Sequence, residues 1–159
     1  MADAVTIRPA VPADAPILSE LLGQLGYPAP VSDVPQRLQA IADFRTAAAF
    51  VATNRYGEVV GLITAHIIPS IHDNDPVAWL TTLVVLEDAR GAGIGSALVR
   101  HVEGWAIEKG AKRLSVTSGI QRHSTHEFYE KRNYRRTGLR FSKQLDLAAG
   151  TDPSSSKKS

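Results

Sequence analysis

The chain has 159 residues, 43% of them apolar and 21% charged, with a formal net charge of +2 and no cysteine. That length and mix suit one compact globular domain, and the missing thiols exclude disulfides, thiolate metal sites and a cysteine nucleophile. No apolar run approaches the roughly 18 residues of a spanning helix, and the N-terminus (MADAVTIRPA) lacks the basic-then-apolar order of a signal peptide. The expectation is a soluble, cytoplasmic protein that engages no membrane.

Ala4 to Arg8 (AVTIR) alternates apolar and polar residues like a short strand, which Pro9 and Pro12 should end. Asp14 is expected to cap a helix carrying Ile17, Leu18, Leu21, Leu22 and Leu25, closed by Gly26-Tyr27-Pro28. Ser32 or Asp33 caps a second helix, with Pro35 in its first turn and Leu38, Ile41 and Ala42 on its inner face. Ala48 to Thr53 and Glu58 to Ile68, joined by Asn54-Arg55-Tyr56-Gly57, read as a β-hairpin. Pro69 to Pro76 is a polar loop with His72, Asp73 and Asp75.

Trp79 to Leu86 (WLTTLVVL) has the β-branched, apolar character of a buried strand, which Glu87-Asp88-Ala89 breaks. Ile94, Ala97, Leu98, His101, Val102 and Trp105 recur at helical spacing, with Lys109 and Gly110 as last turn and stop. Arg113 to Thr117 should be a strand parallel to the previous one across this helical crossover. A short helix from about Thr125 to Arg132 and a final strand around Leu139 to Leu145 complete the pattern, and residues 148–159 read as a disordered tail after a single domain over 1–147.

Arg90-Gly91-Ala92-Gly93-Ile94-Gly95-Ser96 falls where the apolar strand becomes the helix. Alternating glycines there let backbone N–H groups and the positive helix end converge on one anion, and a pyrophosphate suits such a seat. Neither familiar nucleotide loop fits. The Gly-Lys-Ser/Thr of a Walker loop is absent, and Ser96 stands where a Rossmann fingerprint needs its third glycine. The basic residues Lys131, Arg132, Arg135, Arg136, Arg140 and Lys143 crowd one C-terminal stretch. Without a stronger basic excess and interleaved aromatics they do not make a nucleic-acid module, and a solvated face explains them. Five scattered histidines with no paired spacing give no metal site.

This order of elements, with the glycine turn inside a single βαβ unit, resembles the GNAT superfamily of acyl-coenzyme A dependent N-acetyltransferases. Arg90, Gly93 and Gly95 occupy the family's Arg/Gln-x-x-Gly-x-Gly/Ala motif, and Gly91 fits a frequent variant. His126-Glu127-Phe128-Tyr129-Glu130-Lys131-Arg132-Asn133-Tyr134 is similar to the family's Phe-Tyr pair followed by Gly-Phe or Gly-Tyr. Asn133 replaces the glycine at a left-handed helix end, Thr125 a common alanine, and Arg122 an asparagine that touches the cofactor. The resemblance implies an α/β fold (α+β by some schemes): a mixed, mostly antiparallel sheet of about six or seven strands flanked by about four helices, with one βαβ cofactor unit.

It also implies acetyl-CoA as cosubstrate, without a metal. The pyrophosphate would sit on the amides of Gly91, Ala92, Gly93, Ile94, Gly95 and Ser96, with Arg90 shaping the turn and Arg122 adding charge. The pantetheine would pair with a strand edge at Leu83, Val84 and Val85, and the backbone of Val85 would be the oxyanion donor. Tyr129 would be the general acid toward the departing sulfur. No base is assigned among Glu87, Asp88, His66, His72, Asp73 and Asp75. Tyr27 would contact the acceptor or pack at its helix end, and the loop acids would attract a cationic amine. The implied activity is acetyl transfer to a primary amine of a small molecule or protein by direct attack in a ternary complex. The rival is a non-catalytic coenzyme A binding or sensor module. A homodimer through the C-terminal strands accords with the resemblance.

Overall fold

The computed structural model describes residues 4–117 and 123–145, in two compact units, Met1–Val116 and Thr117–Ser159. The first contains β1 (Thr6–Pro9), α1 (Ala15–Leu25), α2 (Val34–Ala42), β2 (Ala47–Thr53), β3 (Val59–Ile68), β4 (Val77–Val85), α3 (Ile94–Glu108) and β5 (Leu114–Val116). Its sheet runs in sequence order β1-β2-β3-β4-β5. The first three pairings are antiparallel and β4–β5 is parallel, because α3 returns the chain to the start of its own side of the sheet.

The β2–β3 hairpin forms where expected. Asn54 Oδ1 accepts the backbone N–H groups of Tyr56 (2.9 Å) and Glu58 (3.0 Å), and Gly57 supplies the left-handed conformation (φ 79°) that closes the turn. β3 is the central strand of the five. On one face, Val51, Leu62 and Val84 are buried with Leu18 and Leu21 of α1 and Val34 of α2. On the other, Ile67 and Ala78 are buried with Ala106 of α3 and Ala111. Truncating Leu18 or Leu21 to alanine in such a site costs about 2–5 kcal/mol.

Two expectations for the first helices change. Asp14 makes no side-chain cap bond to α1. Its carboxylate instead accepts the Val11 N–H (2.9 Å) and both Nη atoms of Arg8 (2.9 and 2.8 Å), tying the end of β1 to a 3-10 turn at Pro12–Asp14. Asp14 is buried, so a forked, charge-assisted pair is the arrangement that makes its burial tolerable. In α2, Leu38 packs on the core while Ala42 is exposed, since the helix ends there.

The second unit contains α4 (His123–Glu130). Its end is the one anticipated from Asn133: that residue is left-handed (φ 68°), and the Tyr134 N–H returns to the Tyr129 carbonyl at 3.1 Å. The basic stretch is partly self-paired. The Arg132 guanidinium lies 3.6 Å from the Phe128 ring centroid, and Arg136 Nε donates to Glu130 Oε1 at 2.9 Å. The expected strand at Leu139 to Leu145 is not formed, so the described sheet has five strands rather than six or seven. Alternation alone does not make a strand without a partner ladder, and Leu139, Phe141 and Leu145 are exposed. Among the described residues no helix is long and apolar enough to cross a membrane.

The Arg8–Asp14 pair predicts acid sensitivity. The guanidinium holds the Asp14 carboxyl below its ordinary range, so its contribution is complete above the unfolded carboxylate value, near about 4, and is lost as pH falls through the lowered folded value. Asp14→Asn should cost about 1–2 kcal/mol near neutrality, a figure kept low because Arg8 remains 38% exposed. Urea unfolding should show the gap between the two proteins constant from neutral pH down to about 5 and closing below about 4. A gap independent of pH would remove the pair from the acid response.

Candidate active site at the β4–α3 junction

The pairing of β4 decides what its end can do. β3 covers it from Val77 to Val85, but β5 pairs only with Ala78, Trp79 and Leu80. Thr81 is an extra residue between two register pairs, Thr64 with Thr82 and Ala65 with Leu80. This β-bulge is pinned by a Thr64–Thr81 hydroxyl contact of 2.8 Å and by Thr81 Oγ1 donating to the Thr64 carbonyl at 3.1 Å. Past the bulge, β4 has no partner strand on its second edge among the described residues.

Antiparallel alternation assigns the peptide groups on that edge. The Leu86 N–H bonds the Val60 carbonyl at 2.9 Å, so the Val84 peptide groups also face β3, while those of Leu83 and Val85 face outward. Arg90 agrees with this reading: its Nε donates to the Val85 carbonyl at 3.1 Å. Of the three edge residues expected from sequence, Leu83 and Val85 present backbone groups and Val84 presents a buried side chain to the α1/α2 core. Arg90 shapes the turn, as expected, by fastening it to the last residue of the strand.

The glycines behave as their spacing implied. Gly91 (φ 87°) and Gly93 (φ 81°) are both left-handed, and Gly93 is the N-cap of α3. An added Cβ at either would meet nothing within 4 Å, so backbone conformation rather than crowding requires glycine there. Gly91, Ala92 and Gly93 are exposed, whereas the Ile94 side chain is buried and only its backbone is available to a ligand. Gly95 and Ser96 lie in the first helical turn, at the positive end of the helix, which favours an anion.

Some supporting residues escaped the sequence reading. Gln24 Oε1 of α1 accepts the Glu87 N–H at 2.9 Å and steadies the entry to the turn. Gly61 of β3 lies under the start of α3: a Cβ there would stand 3.0 Å from Leu98 Cδ1 and 3.3 Å from Ile94 Cγ2. A lone glycine inside an apolar strand was the available signal for this close approach.

Other candidates fare differently. Tyr27 is 64% exposed, so its ring is not packed at the helix end. Asp73 and Asp75 form exposed ion pairs with Arg113 (3.4 Å) and Lys112 (3.1 Å). Tyr129 is buried in the second unit, its ring edge-on to Phe128 and Tyr134 with centroids 5.2 and 5.6 Å away. Arg122 lies outside the described residues. Among the described residues no group of three or more His, Asp or Glu could hold a metal ion.

The model of the acetyltransferase (GNAT) family matches residues 17–134, a span that includes both the glycine turn and the Phe-Tyr pair. The chain belongs to the GNAT acetyltransferase family. Among its relatives, an aminoglycoside N(6')-acetyltransferase type 1 from Stenotrophomonas maltophilia is 32% identical over 133 residues, covering 79% of this chain and 85% of the relative. An aminoalkylphosphonate N-acetyltransferase from Salmonella typhimurium is 36% identical over 91 residues; the match spans 57% of this chain and 59% of that relative's length. A solved structure described as a transcriptional regulator from Bacillus halodurans C-125 superposes with a TM-score of 0.80 at 26% identity, over 89% of this GNAT chain and all of the other.

Glycines on the two sides of α3 should respond oppositely to a methyl group. Gly104, inside α3 with nothing within 4 Å of an added Cβ, should gain stability as alanine, by about 0.5–1 kcal/mol. Gly61→Ala should lose about 1 kcal/mol or more as Leu98 and Ile94 are pushed aside. Thermal melts of the two variants would test the packing; equal shifts would contradict it.

Proposed function

We propose that this GNAT protein transfers the acetyl group of acetyl-CoA to the primary amine of a small molecule, by direct attack within a ternary complex. The observation that carries the reading is the outward-facing peptide edge of Leu83 and Val85 running directly into the Gly91–Gly93 turn and the first turn of α3. An extended arm with two amides can add to such an edge, and a pyrophosphate suits the turn beyond it. Few other ligands combine the two. The names of the two relatives, both N-acetyltransferases of small amines, support a small-molecule acceptor over a protein.

Orientation along β4 assigns roles. With the pyrophosphate at the turn, the arm passes Val85 first and Leu83 next, so the thioester at its far end meets the amide of Leu83. That shifts the oxyanion donor from Val85 to Leu83. The Val85 carbonyl, already held by Arg90, then sets the position of the edge rather than polarising the reacting group. Attack by the uncharged amine forms the C–N bond, collapse breaks the C–S bond, and the departing thiolate takes a proton. Tyr129, at the place of the family's tyrosine, is the proposed donor.

Thiol release measured over a panel of aminoalkylphosphonates, aminoglycosides, polyamines and peptides should identify at least one small amine as acceptor. Cofactor binding without turnover on any of them would favour the sensor reading. Tyr129→Phe should keep acetyl-CoA affinity and lose about 10- to 100-fold in turnover with the best amine. Gly93→Ala should do the opposite, weakening acetyl-CoA binding about tenfold or more, because a side chain at that φ strains the seat.

A further inference from the structure

Beyond the part of one sheet face that packs on α1 and α2, β3 carries a histidine. Val51, Leu62 and Val84 lie under α1 and α2. Farther along the same face come Ala47 and Ala49 of β2, Thr64 and His66 of β3, and Trp79 of β4, all only half-buried. His66 stands directly opposite Trp79 on one side and Ala47 on the other. Thr64 and Ile68 flank it along its own strand, so no charged or titratable group faces it from β2, β3 or β4. Among the described residues neither its ring nitrogens nor the Trp79 indole N–H has a hydrogen-bond partner. Half-buried polar groups without partners among the described residues are groups available to a ligand.

This half-buried patch adjoins the reacting end of the proposed donor site. Trp79 and Leu83 sit on either side of the Thr81 bulge, so a thioester held by the Leu83 amide ends beside the Thr64–Thr81 hydroxyl pair. An imidazole is suited to taking a proton near neutrality. Ala47 and Ala49 leave room over the sheet, and the Trp79 ring makes an apolar wall that also attracts an ammonium. No carboxylate lies on this face among the described residues of the sheet, and Asp73 and Asp75 of the adjacent loop are engaged by Arg113 and Lys112.

We propose, building on the acetyltransferase reading, that His66 is the proton acceptor for the attacking amine and that Trp79 and Ala47 frame a seat for a compact acceptor with one ammonium group. The ammonium gives its first proton to His66, which passes it to water. The free amine attacks the thioester carbon, the C–N bond forms, Tyr129 gives its proton to the sulfur as the C–S bond breaks, and the amine's second proton restores the phenol. A polycation has no carboxylate counterpart here, so simple monoamines are preferred to aminoglycosides.

The test compares wild type, His66→Ala, His66→Gln and Trp79→Ala, using the monoamine on which wild type is most active. The histidine variants should retain acetyl-CoA affinity and lose about 100-fold in kcat, as general-base removal does. Added imidazole should restore a measurable part of the His66→Ala rate. Trp79→Ala should act mainly on KM. Retained turnover in both histidine variants, or a loss that imidazole does not restore in a protein whose melting temperature and cofactor affinity are unchanged, overturns the role of His66. Greater kcat/KM for aminoglycosides than for monoamines overturns the assigned acceptor class. A wild type that binds acetyl-CoA and acetylates nothing fails the acetyltransferase reading itself, an outcome distinct from both. Should His66→Ala unfold, His66→Gln keeps the side-chain bulk and still gives the kcat comparison.

Discussion

A backbone N–H or C=O that is turned away from its neighbouring strand must be satisfied by something else, and much of this structure follows from that constraint at β4. The strand is held along its length by β3 but by β5 over only three residues. Among the described residues, the peptides of Leu83 and Val85 are therefore left on an open edge beside a packed core. Arg90 satisfies one of the outward groups, the Val85 carbonyl, from the turn that follows. A ligand with amides of its own suits the remainder. The same shortage of strand pairing that would be an aggregation hazard on a long flat edge is here the edge on which the proposed cosubstrate would add.

The helix after the turn depends on a second accommodation. α3 must start close to the sheet for its first turn to sit at the end of β4, and Gly61 gives it the space. Ile94 and Leu98, buried and pressed toward β3, fix the direction in which the first-turn amides point. Left-handed Gly91 and Gly93 then let the chain reverse into that helix without side chains over the anion seat. Binding residues and packing residues interleave within a few positions. Ile94 belongs to the core through its side chain and, on the proposed function, to the seat through its backbone.

Much of this was legible in the sequence because it rested on local chemistry. Glycine spacing, the Asn54 turn, the apolar run of β4 and Asn133 at a left-handed helix end each follow from what one residue type can do in its own neighbourhood. What escaped was nonlocal. Nothing near Asp14 announces that Arg8 will fork onto it rather than leave it to cap α1, because the pairing depends on β1 lying beside the turn. The ion pairs of Asp73 and Asp75 with Arg113 and Lys112 join segments about 40 residues apart in the chain, which no local pattern announces. Leu139 to Leu145 has the alternation of a strand, but a strand is a relation between two segments, and its own composition supplies only one. His66 carried no motif at all; its neighbours Ala47 and Trp79 are assembled by register.

The one-residue insertion at Thr81 has a consequence for parity. In an unbroken strand, even-numbered residues of β4 would share a face throughout, and Val84 and Ala78 would belong to the same core. They do not: Val84 is buried with α1 and α2, and Ala78 with α3. The single extra residue exchanges odd for even, so that Trp79 lies on the face of His66 and Leu80 on the opposite one. One strand thereby serves two different surfaces, and the point of exchange lies beside the proposed thioester end. A deletion of one residue there would leave the composition of β4 almost untouched and turn half of it inside out.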